Sequence, residues 1–154
     1  MSHVWVSVVM VPFDPASELA GFTAGSAGAG AVASFTGLCR GESKGLPVRA
    51  LVLEYFPGFT DAEISRMAQE IAARFEVDAL RVVHRAGRVL PGEAIVFVAA
   101  ASAHRRASFQ AVDCLMDYLK TDAPFWKQEE SDGGAVWVEP RAQDHQDKAR
   151  WETK

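Results

Sequence analysis

The chain has 154 residues, 49% of them apolar and 23% charged, with a formal net charge of −4. That length fits one domain with a full core. The acidic balance excludes a general nucleic-acid binder, which needs a dominant basic surface. Two cysteines, Cys39 and Cys114, are too few for a disulfide scaffold and lack the CxxC or Cys/His spacing of a metal site.

The opening MSHVWVSVVMVPFD lacks the basic start and small-residue cleavage site of a signal peptide. Its apolar run is far shorter than the roughly 20 residues of a membrane span. No membrane partner is expected, and the cysteine usage fits a reducing, cytoplasmic setting. Val4 to Val11 is β-branched and reads as a strand. Asp14-Pro15 supplies an N-cap and a first-turn proline for a short helix to about Leu19. Gly21 to Gly30 contains neither GxxxxGK[ST] nor GxGxxG, so it reads as a turn-rich entry to the next strand rather than a phosphate loop.

Ala31 to Thr36 reads as a strand. Arg40 to Pro47 is polar and glycine-punctuated, an exposed loop. Val48 to Phe56 is a strand ended by Pro57-Gly58. Thr60-Asp61-Ala62-Glu63 fits a capping box, followed by a helix with Ile64, Met67, Ile71 and Phe75 on one face. Ala79 to His84 and Ala94 to Ala101 are apolar strands, with turns at Gly87 and Pro91-Gly92. Ser102 is the expected N-cap of a helix that starts near His104, carries Phe109, Val112, Met116 and Leu119 as its apolar stripe, and stops before Pro124. Phe125 to Gln128 and Ala135 to Val138 form a hairpin around Asp132-Gly133-Gly134.

The order β-α-β-β-α-β-β-α-β-β, with hairpins, predicts an α+β fold: a single domain with a mixed or antiparallel sheet and about three helices. That domain is expected over 1–138, with a polar, loosely held tail over 139–154.

The densest chemistry lies between His104 and Glu129. His104, Arg105 and Arg106 crowd a helix start, where cations oppose the dipole and an anion would relieve the conflict. Arg106 is expected to diverge from Arg105 by about 100°. Lys120 closes the same helix, a position the dipole favours for any cation, and Lys127 follows the Pro124-Phe125-Trp126 corner. Read in isolation, Lys127 fits an exposed strand lysine better than a catalytic one. The expectation is that these cations converge on one cavity for an anionic small molecule. His3, His84, His104 and His145 show no ligand spacing such as HExxH, so no metal is implied.

Five segments carry a resemblance: SFTGLCRG (Ser34 to Gly41), LVLEYFPGFT (Leu51 to Thr60), VVHRAGRVLPGE (Val82 to Glu93), SAHRRASF (Ser102 to Phe109) and MDYLKTDAPFWKQE (Met116 to Glu129). In this order they resemble the large, catalytic subunit family of molybdopterin synthase, from about Ala31 to Val138. The chain departs from that pattern at Tyr55, where the family commonly has histidine, and at Leu38 and Cys39.

The resemblance implies a sulfurtransferase that converts precursor Z, cyclic pyranopterin monophosphate, into molybdopterin by building its dithiolene. It needs no resident cofactor. The sulfur arrives as the C-terminal glycine thiocarboxylate of a small ubiquitin-like carrier subunit, and two large subunits pair within a heterotetramer. Lys127 and Lys120 are the implied catalytic residues. Arg40, His104 and Arg105 are the implied phosphate ligands. Gln128 and Glu129 border the lysine, and Leu38 and Cys39 contribute backbone contacts. A cysteine sulfur relay is unnecessary on this reading. The competing expectation is a non-catalytic anion-binding or assembly module of the same fold.

Overall fold

The computed structural model describes residues 2–152. In chain order the elements are β1 (His3–Val9), α1 (Pro15–Ala24), β2 (Ala31–Leu38), β3 (Glu42–Ser43), β4 (Leu46–Tyr55), α2 (Phe59–Phe75), β5 (Ala79–Arg85), β6 (Gly87–Val89), β7 (Ala94–Ser102), α3 (Arg105–Asp122), β8 (Phe125–Ser131), β9 (Gly134–Val138) and α4 (Ala142–Ala149). The expected α+β architecture is present.

One sheet runs β1-β5-β7-β2 and the other β3-β4-β8-β9, with β6 also paired to β4. Only β1–β5 is a parallel pair among the described strands. β5 and β7 are central in the first sheet and covered on both faces, which is why they read as continuous apolar runs instead of alternating ones. On one face Ile64, Met67 and Ile71 of α2 and Leu115 of α3 pack on Val82 and Val98. On the other, Phe22 of α1 packs with Val83 and Phe97. A smaller cluster, Cys39, Leu53 and Val89, fills the junction with the second sheet.

Several local expectations are corrected. α1 continues through Ala24 into the Gly-Ala-Ser stretch read as turn, because Gly21 costs a helix only about 1 kcal/mol and Phe22 is buried. The segment after Ala86 is a third short strand, not a plain turn, with Gly87 at φ 82° where it enters β6. α2 is capped two residues earlier than expected, at Gly58, with the Asp61 carboxylate accepting from Gly58 N at 3.3 Å. Thr60 instead accepts from Phe56 N at 2.9 Å and donates to Pro124 O at 3.1 Å, tying the start of α2 to the entrance of β8. Ser102 ends β7 and its hydroxyl bonds His104 O and Ser108 Oγ, so the N-cap of α3 is His104, with no side-chain cap.

The tail expected to be loose is instead ordered around a fourth helix, so the expected count of about three falls one short. α4 is polar on every side and shows no apolar stripe, but it docks through charge. Arg150 bonds Asp113 at 2.7 Å and Asp117 at 2.9 Å, and Lys148 pairs with Asp122 at 2.8 Å. Trp151 donates its indole N–H to Asp117 at 2.6 Å and sets its ring edge-on to Phe75, centroids 5.6 Å apart.

Trp151→Ala is expected to destabilise the fold by about 1–3 kcal/mol, within the range for partly buried aromatic truncations. Hydrogen exchange should then become fast in residues 142–149. Unchanged protection there would show that α4 holds without this anchor.

Candidate active site

β8 follows α3 after the single break at Ala123-Pro124, so the last turn of α3 and the first residues of β8 are neighbours. Met116, Leu119 and Lys120 sit three and four positions apart on α3 and share a face. On β8 the side chains alternate, and Phe125, Lys127 and Glu129 share the inner face, opposite Tyr55, Leu53 and Leu51 of β4. These two faces, with the end of β2 and Val138 of β9, enclose one cavity of about 180 Å³.

Lys120, Lys127, Arg40, Leu38, Cys39 and Glu129 all line it. Six of the residues singled out from the sequence therefore meet in space, and the two lysines open into the same cavity. Gln128 does not join them. Strand alternation turns it to the outer face of β8, paired in register with Trp137 of β9.

His104 and Arg105 are also elsewhere. They line a separate hollow at the other end of α3, with Ala103, Phe109 and Gln110. A helix rising about 1.5 Å per residue sets Arg105 and Lys120 roughly 22 Å apart, so within one chain they cannot grip one phosphate. The expected single cavity is thus two sites per chain. Arg106, expected to point away, lines the hollow too, because side chains in a first turn lean toward the helix N-terminus. Phe109, expected in the buried stripe, is 63% exposed beside it.

The electrostatics of the cavity follow from burial. Desolvation, then the charge of Lys120, lowers the Lys127 ammonium pKa to about 8, with Asp144 opposing the shift. Burial pushes the Asp144 carboxyl up. Hydrogen bonds from Arg141 backbone and guanidinium, and the charges of Arg141 and Lys120, outweigh it and hold the group low. The helical tail thus supplies the carboxylate whose field reaches both lysines, a contribution invisible in the sequence. Burial first, and then the Glu129 charge, raises the Cys39 thiol pKa, and burial raises that of Cys114 to about 11. Neither cysteine is an activated thiolate.

His84 is the site residue that sequence reasoning missed. It lies in the cavity wall, stacked on Phe125 with centroids 4.1 Å apart and planes at 17°. Its place in VVHRAG, at the end of an apolar strand, was the available signal. Among the described residues no cluster of three or more His, Cys, Asp or Glu could hold a metal ion. No described helix is long and apolar enough to cross a membrane.

Such a cavity, walled by apolar side chains and carrying three cations, belongs to proteins that bind and process a small anionic reactant. Comparison with known proteins narrows the class. A family model described as "MoaE protein" matches residues 8–122. The molybdopterin synthase catalytic subunit of Caulobacter vibrioides is 50% identical over 147 residues, covering 96% of this chain and 97% of that protein. The solved structure of the molybdopterin biosynthesis MoaE protein from Burkholderia ambifaria superposes with a TM-score of 0.80 at 36% identity, covering 100% of both chains. A protein–protein complex of subunits 1 and 2 of molybdopterin-converting factor from Helicobacter pylori shares the fold, with a TM-score of 0.73 at 16% identity over 88% of this chain and 91% of that one. The chain belongs to the MoaE family.

The lowered Lys127 pKa makes stability pH-dependent. Between about pH 8 and 10.5 the unfolded chain keeps a proton that the folded chain has released, so stability rises with pH across that window. Below it both states are protonated, and the fold bears the penalty of an ammonium held away from water. Lys127→Met should therefore stabilise the protein at pH 7, by about 1–3 kcal/mol, and flatten the rise. An unchanged denaturation midpoint at pH 7 with the same alkaline slope would contradict this burial.

Proposed function

We propose that this chain is the catalytic subunit of a molybdopterin synthase: a sulfurtransferase moving sulfur from the glycine thiocarboxylate of a small ubiquitin-like carrier to precursor Z. The observation that carries the reading is the pair of lysines in one cavity, one of them lowered to about 8, with Arg40 on the rim.

In this mechanism the carrier's sulfur forms a bond to a side-chain carbon of the pterin as the oxygen on that carbon departs. Hydrolysis of the resulting acyl link releases the carrier as a carboxylate and leaves the sulfur on the pterin; a second loaded carrier supplies the second sulfur of the dithiolene. Lys127 is the proton donor to the departing oxygen. A pKa near 8 leaves it about nine-tenths ammonium at pH 7 yet a stronger acid than an ordinary lysine. Lys120 adds to the burial that holds that pKa down, and attracts the anionic reactants. Arg40 takes phosphate through its planar fork. Leu38 and Cys39 shape the wall, and Glu129 is the carboxylate that can accept from the pterin. Gln128 has no contact with substrate in this scheme.

The cavity of about 180 Å³ is smaller than the roughly 300–1,000 Å³ of most small-molecule sites. It suits the glycine tail and the reacting end of the substrate. The phosphate-bearing end then needs a second wall, and His104 and Arg105, too distant in the same chain, can serve it only from a second copy. This supports pairing of two large subunits, with a carrier at each outer end. The subunit complex among the structural neighbours supports a carrier of this kind. The buried thiols and the reduced sulfur chemistry support action in the cytoplasm.

Two experiments test the reading. With loaded carrier and precursor Z, Lys127→Ala is expected to lower dithiolene formation at least about 100-fold, read as loss of the two-step mass gain on the pterin. A folded variant working at the parental rate would remove Lys127 from the mechanism, and binding without any sulfur gain by the wild type would favour an assembly module. In the second, Lys127→Ala and Arg105→Ala chains, each inactive alone, are mixed. Activity should return toward one working site per mixed pair; no recovery despite confirmed subunit exchange would place Arg105 outside a shared site.

A further inference from the structure

His84 is buried, 5% exposed, yet it forms part of the cavity wall. Its Nδ1 lies 2.8 Å from Arg85 O. A carbonyl can only accept, so Nδ1 carries the proton and Nε2 carries the lone pair. Among the described residues Nε2 has no hydrogen-bond partner, and it is not one of the fully enclosed unsatisfied atoms, so it retains access to the cavity. Phe125 stacks on the ring and fixes its plane. Phe125 and Lys127 share a face of β8, two residues and therefore about 7 Å apart. The acceptor thus opens beside the lysines where reactants meet.

Glu129 is the charged acceptor of the cavity, and the other charged groups that line it, Lys120, Lys127 and Arg40, are donors. They suit phosphate, thiocarboxylate and a departing oxygen. None of these three suits the N–H groups that both reactants carry, on the pyrimidinone edge of a pterin and on the amides of a glycine tail, so Glu129 and His84 Nε2 are the side chains left to accept there. Buried acceptors in native proteins are nearly always paired, and burial together with the charges of Lys127 and Lys120 keeps this ring neutral, with a pKa of about 4.

We propose that His84 is a reactant-binding residue of this site, its Nε2 accepting a hydrogen bond from an N–H of the bound pterin or of the carrier's glycine tail. The proposal rests on the sulfurtransferase reading above. It makes His84 a selector for one orientation, since a reactant turned to present a carbonyl would set two acceptors against each other.

The test uses the full chain, precursor Z, and the carrier in its unloaded carboxylate form, with equilibrium binding of each measured separately. His84→Phe keeps a flat ring on Phe125 and removes Nε2, whereas His84→Gln keeps an acceptor. Loss of one buried hydrogen bond predicts about tenfold weaker binding to His84→Phe and a smaller loss for His84→Gln. Weakening confined to precursor Z assigns the bond to the pterin, and weakening confined to the carrier assigns it to the tail. Nitrogen NMR of the wild type gives a readout that does not depend on a variant folding: the unprotonated Nε2 resonance should shift upfield when the bonded reactant is added. Unaltered binding of both reactants by folded His84→Phe, or an Nε2 resonance that neither reactant moves, overturns the proposal. If wild type neither binds nor converts precursor Z, the functional reading fails instead.

Discussion

Lys127 reaches the cavity only because β8 lies against β4 in one register, Leu53 opposite Lys127 and Leu51 opposite Glu129. A slip of one residue would turn both charges outward and bring Trp126 and Gln128 in. The register is pinned at both ends. At the start, Thr60 holds Pro124 O, and Phe125 is set between Tyr55 and His84. Toward the far end Arg88 bonds Glu130 at 3.0 Å and Arg49 pairs with Asp132. Those last pairs are exposed and contribute little to stability, but they disfavour the slipped alternative. An apolar stack at one end and charge matching at the other thus fix the position of one amine.

The fold tolerates that amine at a cost. A largely buried ammonium beside a second lysine is destabilising, and the cavity offsets it only in part, through the Asp144 carboxylate presented by α4. The uncharged imidazole of His84 avoids adding a fourth positive charge to those of Lys120, Lys127 and Arg40. What remains is an unneutralised positive potential in a small apolar cavity, where low dielectric strengthens it. An anion entering there gains more than it would on the surface, against the acidic background of the whole chain.

Much of the fold was legible because its strands and two of its helices bury apolar faces. β5 and β7 announce themselves as apolar runs, and α2 by the spacing of Ile64, Met67 and Ile71. β3 and β6, at two and three residues, are too short for any period to show. α4 has no apolar stripe, and its partners Asp113, Asp117 and Asp122 read locally as an ordinary solvated helix face. In the site, Lys120, Lys127 and Arg40 were found through family motifs; composition and spacing alone left Lys127 looking like a surface lysine. Gln128 was grouped with Lys127 because it adjoins it in sequence, whereas adjacency on a strand means opposite faces. His84 was passed over because a histidine ending a core strand gives no sign of which nitrogen remains unpaired.

The distance along α3 gives the divided site its logic. Gathering Arg40, His104, Arg105, Lys120 and Lys127 around one cavity in a single chain would set four permanent cations and an imidazole around the one Glu129 carboxylate that lines it. α3 is long enough to keep the His104–Arg105 group roughly 22 Å from the lysines, so an isolated chain folds without that repulsion. On the shared-site reading the two groups approach only when two copies pair, and the substrate's phosphate then sits between them. The charge conflict is thereby moved from folding, where it would weaken a marginally stable domain, to binding, where an anionic substrate turns it into affinity.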